Sequence, residues 1–188
     1  TYYELMQELV EAGKTTGPNQ SESMVHYTKM NLQRMKRLGK KVNIQPALIE
    51  AFAALPDQYI WLVITEAWCG DAAQIVPIFD AIVQELPKTE MSLVLRDELP
   101  DLMDEFLTNG ARAIPKLVVL EKDTLEVVTT WGARPAPAQE LVNAYKANPN
   151  PPPYAEFSVT LQKWYNKDKT LTTQAELLDL AASLAAIA

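Results

Sequence analysis

The stretch Thr65-Glu66-Ala67-Trp68-Cys69-Gly70-Asp71-Ala72 joins two strongly patterned segments of the chain. The residues before it, 59–64, are continuously apolar and rich in β-branched side chains, which is typical of a strand buried on both faces of a sheet. The residues after it repeat apolar side chains at helical spacing from Ala72 onward, with Pro77 inside the pattern. Cys69, the single cysteine of the chain, therefore lies where a buried strand passes into a helix.

The segments that follow predict the rest of a mixed sheet. Residues 91–95 form a second strand, and strand, helix and strand in this length make a parallel crossover unit. Residues 116–120 and 125–130 are two more strands, and the short polar segment between them predicts an antiparallel hairpin. With helices expected over 100–107 and 138–147, the order predicts an α/β fold, a mixed sheet with helices on both faces.

Helical extensions are predicted at both ends of this core. Thr1 and Glu4 have the spacing of a capping box, and further helices are expected over 21–39 and 46–54. The prolines of 148–153 favour extended polyproline geometry and predict a linker before two last helices. We therefore expect a single domain made of an N-terminal helical extension (1–55), a core (56–147), and a proline linker with C-terminal helices (148–188).

The two C-terminal helices each carry an apolar stripe that must be buried. The second helix is predicted to begin with a capping box formed by Thr173 and Glu176. The stripes either pack back onto the core or form a weak homodimer, so the chain is expected to be a monomer or a dimer through these helices. The residues of the stripes are Tyr154, Phe157, Leu161, Trp164 and Tyr165, then Leu177, Leu180, Leu184 and Ile187.

Composition limits the classes of partner. The net charge is −7, which argues against broad contact with a nucleic-acid backbone. No apolar run approaches the roughly 18 residues that span a bilayer, so no membrane partner is expected. One cysteine makes no internal disulfide, which suits a reducing compartment such as the cytoplasm. His26 is the only histidine, and neither a metal site nor another cofactor is predicted.

Four landmarks carry a family resemblance over roughly residues 58 to 147. They are Trp68-Cys69-Gly70 at the strand-to-helix junction, Pro77 eight positions after the cysteine, Ile114-Pro115 before a strand, and Trp131-Gly132 after the last strand. Together they resemble the thioredoxin family, and the longer pattern is similar to a bacterial subgroup of thioredoxin-like proteins. The resemblance implies a helix-kinking Pro77, a cis peptide before Pro115, and Gly132 lining a substrate groove.

The position of Cys69 favours a reactive thiol. The free N–H groups and the dipole at a helix start stabilise a thiolate, which is the nucleophile in exchange with disulfides. A cis Pro115, as the family implies, offers backbone groups beside the sulfur to an extended substrate, while Trp68 and Trp131 are expected to wall the groove. Ile114, Gly70 and Asp71 complete the expected groove. The alternative for Cys69 is a small buried hydrophobic residue.

Three departures from the family pattern weaken an enzyme interpretation. Ala72 stands where the second cysteine of the usual Cys-x-x-Cys motif would be, so a mixed disulfide at Cys69 has no internal resolving thiol. Val63 occupies the strand position of a buried acid that assists proton transfer in thioredoxins. Asp71 lies next to the sulfur, and its charge opposes thiolate formation, although an acid also suits a helix first turn. Dithiol reductase activity is therefore not expected.

Charged residues near these loops are candidates for electrostatic support. Arg112, Lys116 and Arg134 either attract an acidic thiol such as glutathione or only keep the surface soluble. Glu66 is either a proton acceptor near Cys69 or a loop carboxylate. Six basic residues between 29 and 41 form either a docking patch for an acidic partner or a solvated helix face.

The sequence leaves three functions open. In the first, Cys69 exchanges with a protein disulfide or with glutathione, and an external thiol resolves the adduct. In the second, the chain is a non-catalytic binding module that keeps the thioredoxin groove. In the third, Cys69 is a redox sensor that is oxidised or capped.

Overall fold

Four strands form one mixed sheet in the computed structural model, which describes residues 1–186. Their order across the sheet is β2-β1-β3-β4. β1 runs parallel to β2 and antiparallel to β3, and β3 pairs antiparallel with β4, so the predicted crossover and hairpin are both confirmed. The strands are β1 (Tyr59–Thr65), β2 (Thr89–Leu95), β3 (Lys116–Glu121) and β4 (Val127–Gly132).

Helices cover both faces of this sheet and extend it at both ends, which confirms the predicted fold class. The capping box at the first helix is present, because the Thr1 hydroxyl accepts from the Glu4 N–H and the Glu4 carboxylate accepts from the N-terminus. Among the described residues the helices are α1 (Tyr2–Glu11), α2 (Glu22–Gly39), α3 (Pro46–Ala53), α4 (Ala72–Gln84), α5 (Pro100–Asp104), α6 (Ala136–Ala147), α7 (Tyr154–Asp168) and α8 (Leu171–Ala185). None of these helices is both long enough and apolar enough to cross a bilayer.

The predicted capping box of the last helix is wrong. α8 begins at Leu171, so Thr173 is a buried residue of its first turn rather than its N-cap. The carboxylate of Glu176 instead accepts two hydrogen bonds from the neighbouring core, one from Trp131 Nε1 at 2.8 Å and one from the Ala136 N–H at 2.7 Å. The acid that resembles a local cap therefore ties α8 to β4 and α6.

Aromatic side chains link the layers of the core. Trp61 of β1 is fully buried and meets Phe52 of α3 and Phe79 of α4 edge-on, with ring centroids 5.1 and 5.6 Å apart. Phe79 in turn meets Trp131 of β4 at 5.8 Å. Such edge-to-face pairs add about 0.5–1.5 kcal/mol each to the stability gained from burial.

The apolar stripes of α7 and α8 are covered by the chain itself. Their buried members are Phe157, Leu161, Tyr165, Leu177, Leu180 and Leu184. These six side chains therefore pack onto the rest of the chain, which is the first of the two alternatives given for the stripes. Ile187, also assigned to the stripe, lies outside the described residues.

Candidate functional site

A cavity of about 340 Å³ opens beside Cys69 and is called the Cys69 cavity below. Its floor is the loop after β1, which carries Cys69, and the loop before β3 lies next to that floor. Two walls come from the extensions, one from α2 and one from α7. The residues that line it are Met24, Tyr27 and Arg34 of α2, Trp68 to Asp71, Arg96, Arg112 to Ile114, Arg134, and Tyr154, Ser158, Leu161 and Gln162 of α7.

Cys69 is a buried thiol held by two backbone groups. Its Sγ donates to the carbonyl oxygen of Ile114 at 3.3 Å and accepts from the N–H of Ala72 at 3.4 Å. Burial, followed by the charge of Asp71, raises the Cys69 pKa to about 12, against a smaller opposing effect of the Ala72 N–H and of Arg134. This direction is the opposite of the one expected from the helix start, because the sulfur is removed from water and lies beside a carboxylate.

Asp71 is the buried carboxylate beside this thiol. One oxygen accepts from Arg134 at 2.8 Å, and the other accepts from the hydroxyl of Tyr165 at 2.7 Å. Burial raises the Asp71 pKa, while Arg134 and Tyr165 act to lower it. We take the carboxylate to be ionised in this pair, since both of its oxygens accept hydrogen bonds. Its negative charge then disfavours a thiolate at Cys69, as its place in the sequence indicates.

The loop before β3 closes the cavity beneath the sulfur. The Ile114–Pro115 peptide is cis, as the family resemblance implies. The carbonyl of Ile114 faces Cys69, whereas Pro115 is buried and does not line the cavity. Gly132 packs behind this loop at φ +116°, where an added Cβ would lie 2.5 Å from the carbonyl oxygen of Pro115. Gly132 therefore supports the loop instead of lining the groove.

The two tryptophans expected to wall the groove occupy different places. Trp68 lines the cavity, and the Arg96 guanidinium lies over its ring at 4.8 Å from the centroid. Trp131 does not line the cavity: it is buried against Phe79 and donates to Glu176. The expectation for Trp131 is wrong because the end of β4 points its side chain into the core under α8.

Glu66 supports the loop from below and does not line the cavity. It is almost fully buried, and one of its oxygens accepts from the Asp97 N–H at 2.8 Å. Its other oxygen has no hydrogen-bond partner within residues 1–186. Burial raises the Glu66 pKa, against the opposing effects of the nearby Thr16 hydroxyl and of the hydrogen bond from the Asp97 N–H. Glu66 is thus a buried structural carboxyl rather than an exposed loop acid.

The N-terminal extension binds the backbone of Ala67, in the loop that carries Cys69. The N–H of Ala67 donates to the Thr16 hydroxyl at 2.9 Å, and its carbonyl accepts from the Asn31 side-chain amide at 3.0 Å. Both Thr16 and Asn31 are buried. The loop that carries Cys69 is therefore fixed by contacts from outside the predicted core.

Four arginines line the cavity within the described part of the chain. Arg134 pairs with Asp71, as given above. Arg112 makes a two-pronged ion pair with Asp104, with both distances 2.6 Å, and Arg96 contacts Asp97 at 2.8 Å. Arg34 donates to the neutral side-chain oxygen of Asn31 at 2.9 Å.

Sequence reasoning named only two of these arginines, Arg112 and Arg134. Lys116, the third predicted cation, is buried away from the cavity, and its burial lowers its pKa. Arg34 was one of six basic residues in the run from 29 to 41, and the other five are exposed. Its distinguishing signal is its place three residues after Asn31, which puts the two side chains on one face of a helix.

His26 lies exposed on α2 and is not one of the lining residues. Among residues 1–186 no group of three or more His, Cys, Asp or Glu side chains is placed to hold a metal ion. The side chains that line the cavity carry four guanidiniums, the Cys69 thiol, the Asp71 carboxylate, the Gln162 amide, the Ser158 hydroxyl and aromatic surfaces.

The strand order, the helix that starts three residues after Cys69 and the cis-proline loop define a protein with the thioredoxin fold. A family model described as thioredoxin matches residues 17–146, and the chain belongs to this family. The match begins within the N-terminal extension, so it reaches beyond the core expected from the four landmarks.

Solved structures share this fold across nearly the whole chain. One is a protein of unknown function from Pseudomonas aeruginosa, with 18% identity, a TM-score of 0.60, and coverage of 94% of this chain and 96% of that one. Another is an HIV epitope scaffold, with 17% identity, a TM-score of 0.58, and coverage of 94% and 97%. No curated protein matches the sequence.

Proposed function

We propose that this chain is a thioredoxin-fold binding protein that takes a small anionic ligand in the Cys69 cavity. The observation that carries the proposal is the set of four guanidinium groups around a buried, neutral thiol. Three of these guanidiniums are paired with carboxylates, and the fourth, that of Arg34, is bonded to a neutral amide. The cavity therefore keeps an excess of positive charge. This excess stands out in a chain whose net charge is −7.

The size and the surface of the cavity suit a small organic ligand. Its volume of about 340 Å³ lies at the lower end of the range of about 300–1,000 Å³ for small-molecule pockets. Trp68, Tyr27 and Tyr154 supply aromatic surface, and the arginines supply donors for carboxylate oxygens. A short acidic peptide or glutathione has the carboxylates and the size that these groups would accommodate.

The state of the thiol favours binding over catalysis. With a pKa near 12, Cys69 is protonated at neutral pH, and its hydrogen goes to the Ile114 carbonyl. Ala72 provides no second thiol, and Val63, fully buried, provides no acid for proton transfer. Cys69 then contributes shape and a polarizable apolar surface to the cavity floor, since its one hydrogen is already donated to Ile114.

Titration with S-methylglutathione tests this proposal, since its blocked sulfur can bind but cannot exchange. Isothermal titration calorimetry and tryptophan fluorescence should show saturable binding to the wild type and to the Cys69→Ser variant with similar affinity. Binding should weaken as salt is added, because the attraction is electrostatic. An absence of binding to the wild type would contradict the proposal.

Thiol–disulfide exchange through Cys69 is the second candidate function. It is favoured by the position of Sγ, which lines the cavity and accepts the Ala72 N–H at the start of α4. In this reaction the Cys69 sulfur forms a bond to one sulfur of oxidised glutathione or of a protein disulfide, and the original disulfide bond breaks. The other sulfur leaves as a thiolate, and the proton released by Cys69 passes through water to that thiolate. An external thiol must then release the adduct, and a reducing compartment such as the cytoplasm supplies one.

Intact-protein mass spectrometry after incubation with oxidised glutathione separates the two candidates. Exchange predicts a glutathione adduct on the wild type that dithiothreitol removes and that Cys69→Ser does not form. If the wild type binds S-methylglutathione and forms no adduct at neutral pH, the binding function stands without the exchange function.

A further inference from the structure

The four arginines of the Cys69 cavity differ in what balances their charge. Arg134, Arg112 and Arg96 each contact a carboxylate, and each is thereby largely neutralised. The guanidinium of Arg34 makes no ion pair within residues 1–186, and its hydrogen-bond acceptor is the neutral side chain of Asn31. Arg34 therefore supplies the unbalanced positive charge of the cavity.

A hydrogen bond to a buried side chain fixes the position of the Arg34 guanidinium. Asn31 is fully buried and donates to the Ala67 carbonyl while it accepts from Arg34, so one amide connects the guanidinium to the Cys69 loop. Burial, followed by the nearby charge of Arg37, lowers the Arg34 pKa. Both effects mean that the Arg34 charge is incompletely stabilised in the unliganded chain, so an anion placed there is favoured.

Gly70 lies in the lining of the cavity close to Arg34. A Cβ on Gly70 would lie 3.8 Å from Nη1 of Arg34 and 3.3 Å from Nε2 of Gln162. That amide nitrogen donates to the Gly70 carbonyl at 3.2 Å, and its oxygen accepts from Gln74 at 2.7 Å. The space over Gly70 is thus bordered by two nitrogen donors, one from α2 and one from α7.

We infer that Arg34 receives a carboxylate of the ligand over Gly70, so the ligand is a small carboxylate-bearing molecule with a net charge near −1. This inference rests on the proposed function and specifies its ligand class. A planar guanidinium pairs with two carboxylate oxygens at once, and one unbalanced positive charge matches a monoanion better than a phosphate dianion. The N-terminal extension, which carries Arg34, is then part of the binding site.

Calorimetric titration of the wild type, Arg34→Gln and Arg37→Gln with S-methylglutathione tests the inference. Arg37 lies one turn further along α2, is exposed, and does not line the Cys69 cavity, so it is the matched control. Loss of a charged hydrogen-bonding partner should weaken binding by about tenfold to a hundredfold in Arg34→Gln. Arg37→Gln should stay within about twofold of the wild type, and Arg34→Lys should restore part of the affinity.

A second arm of the experiment changes the ligand instead of the protein. The dimethyl ester of S-methylglutathione lacks both carboxylate charges and keeps its ammonium group, so the wild type should bind it at least as weakly as Arg34→Gln binds the free acid. Arg34→Gln should discriminate little between the acid and the ester. The comparison of the acid with the ester on the wild type does not depend on the variant folding, which circular dichroism and urea denaturation check separately.

Three other results of these titrations would overturn the inference, the carboxylate assignment or the proposed function. Equal affinity of the wild type and Arg34→Gln for S-methylglutathione overturns the inference and leaves the proposed function standing. Binding of inorganic phosphate to the wild type in preference to S-methylglutathione overturns the carboxylate assignment. If the wild type binds neither probe, the proposed function fails and the inference fails with it.

Discussion

At the scale of single residues, the state of Cys69 is decided by its neighbours in space. Its position at a helix start is visible in the sequence and predicts a lowered pKa. Burial and the adjacent Asp71 reverse the direction. The burial depends in part on α7, whose residues Leu161 and Gln162 line the same cavity from more than ninety positions away. A local pattern of residue types contains no information about such a contact, so the sequence could place the thiol but not its pKa.

Replacing Asp71 with asparagine should make Cys69 more reactive. The substitution removes the negative charge beside the sulfur and leaves Arg134 without its carboxylate, and both changes lower the Cys69 pKa. A nearby charge typically shifts a pKa by about 1–3, so the rate of alkylation by iodoacetamide at pH 8 should rise roughly tenfold or more. Asp80→Asn removes an acid from α4 and should leave the rate unchanged. An unchanged rate in Asp71→Asn would refute the electrostatic role.

Glu66 should make stability depend on pH in a defined direction. Burial raises the Glu66 pKa above the ordinary value of 4.5, so the folded state keeps this proton to higher pH than the unfolded state does. Stability is then lost as pH rises from about the ordinary value through the folded-state pKa. Glu66→Gln cannot ionise, so its free energy of unfolding should exceed that of the wild type at pH 7 and approach it below pH 4.

Urea denaturation at a series of pH values measures this difference. Glu140→Gln, which changes an exposed acid on α6, controls for the loss of one carboxylate and should follow the wild type. A wild type that is more stable than Glu66→Gln at pH 7 would show that the buried carboxylate is stabilising and that the argument from burial is wrong.

At the scale of elements, the sequence predicted each strand, the parallel pairing of β1 with β2 and the hairpin of β3 and β4, with bounds that agree with the structure to within about two residues. The pairing of β1 with β3 was not predicted. Period-two and continuous apolar patterns report on burial against nearest neighbours, which is why strands are predictable. Trp131 and Glu176 show the limit of such patterns. Each was assigned a local role, as a groove wall and as a helix cap, but they bond to each other across 45 positions.

Gly132 should tolerate no side chain, because its backbone packs against the loop that contains Pro115. Alanine at this position would bring its Cβ to 2.5 Å from the Pro115 carbonyl oxygen, at a φ of +116°. Gly110, with φ +73° and nothing within 4 Å of an added Cβ, is the matched control for backbone conformation without contact. Gly132→Ala should therefore reduce the free energy of unfolding by about 1–3 kcal/mol more than Gly110→Ala does. Equal losses in the two variants would show that contact with the cis-proline loop is unimportant.

At the scale of the whole molecule, the extensions complete the site that the core begins. α2 contributes Arg34, Asn31 positions the Cys69 loop, and α7 contributes Gln162 and the Tyr165 contact to Asp71. The sequence predicted both extensions and the need to bury the apolar faces of the two C-terminal helices. It could not predict that they wall the cavity, because the direction in which a helix packs depends on the three-dimensional path of its connections.

The contact between α8 and the core should contribute to the stability of the whole chain. Glu176 accepts from Trp131 Nε1 and from the Ala136 N–H, and removing it leaves both donors without this acceptor. Hydrogen bonds to a charged group are worth about 1.5–3 kcal/mol, so Glu176→Ala should lower the free energy of unfolding by about 2 kcal/mol. Glu140→Ala on α6 is the control, expected within about 0.5 kcal/mol of the wild type because it is an exposed surface change. Equal stability of both variants would mean that these two hydrogen bonds contribute little to the attachment of α8.

The protonation state of Cys69 distinguishes a binding cavity from a site with a reactive thiolate. Because the chain has one cysteine, labelling with 13C at its Cβ yields a single resonance that can be followed by NMR as pH is raised. A neutral thiol on the floor of a binding cavity predicts no titration of this resonance up to about pH 9, in keeping with a pKa near 12. A titration midpoint at or below about pH 8 would contradict the account and favour a reactive thiolate.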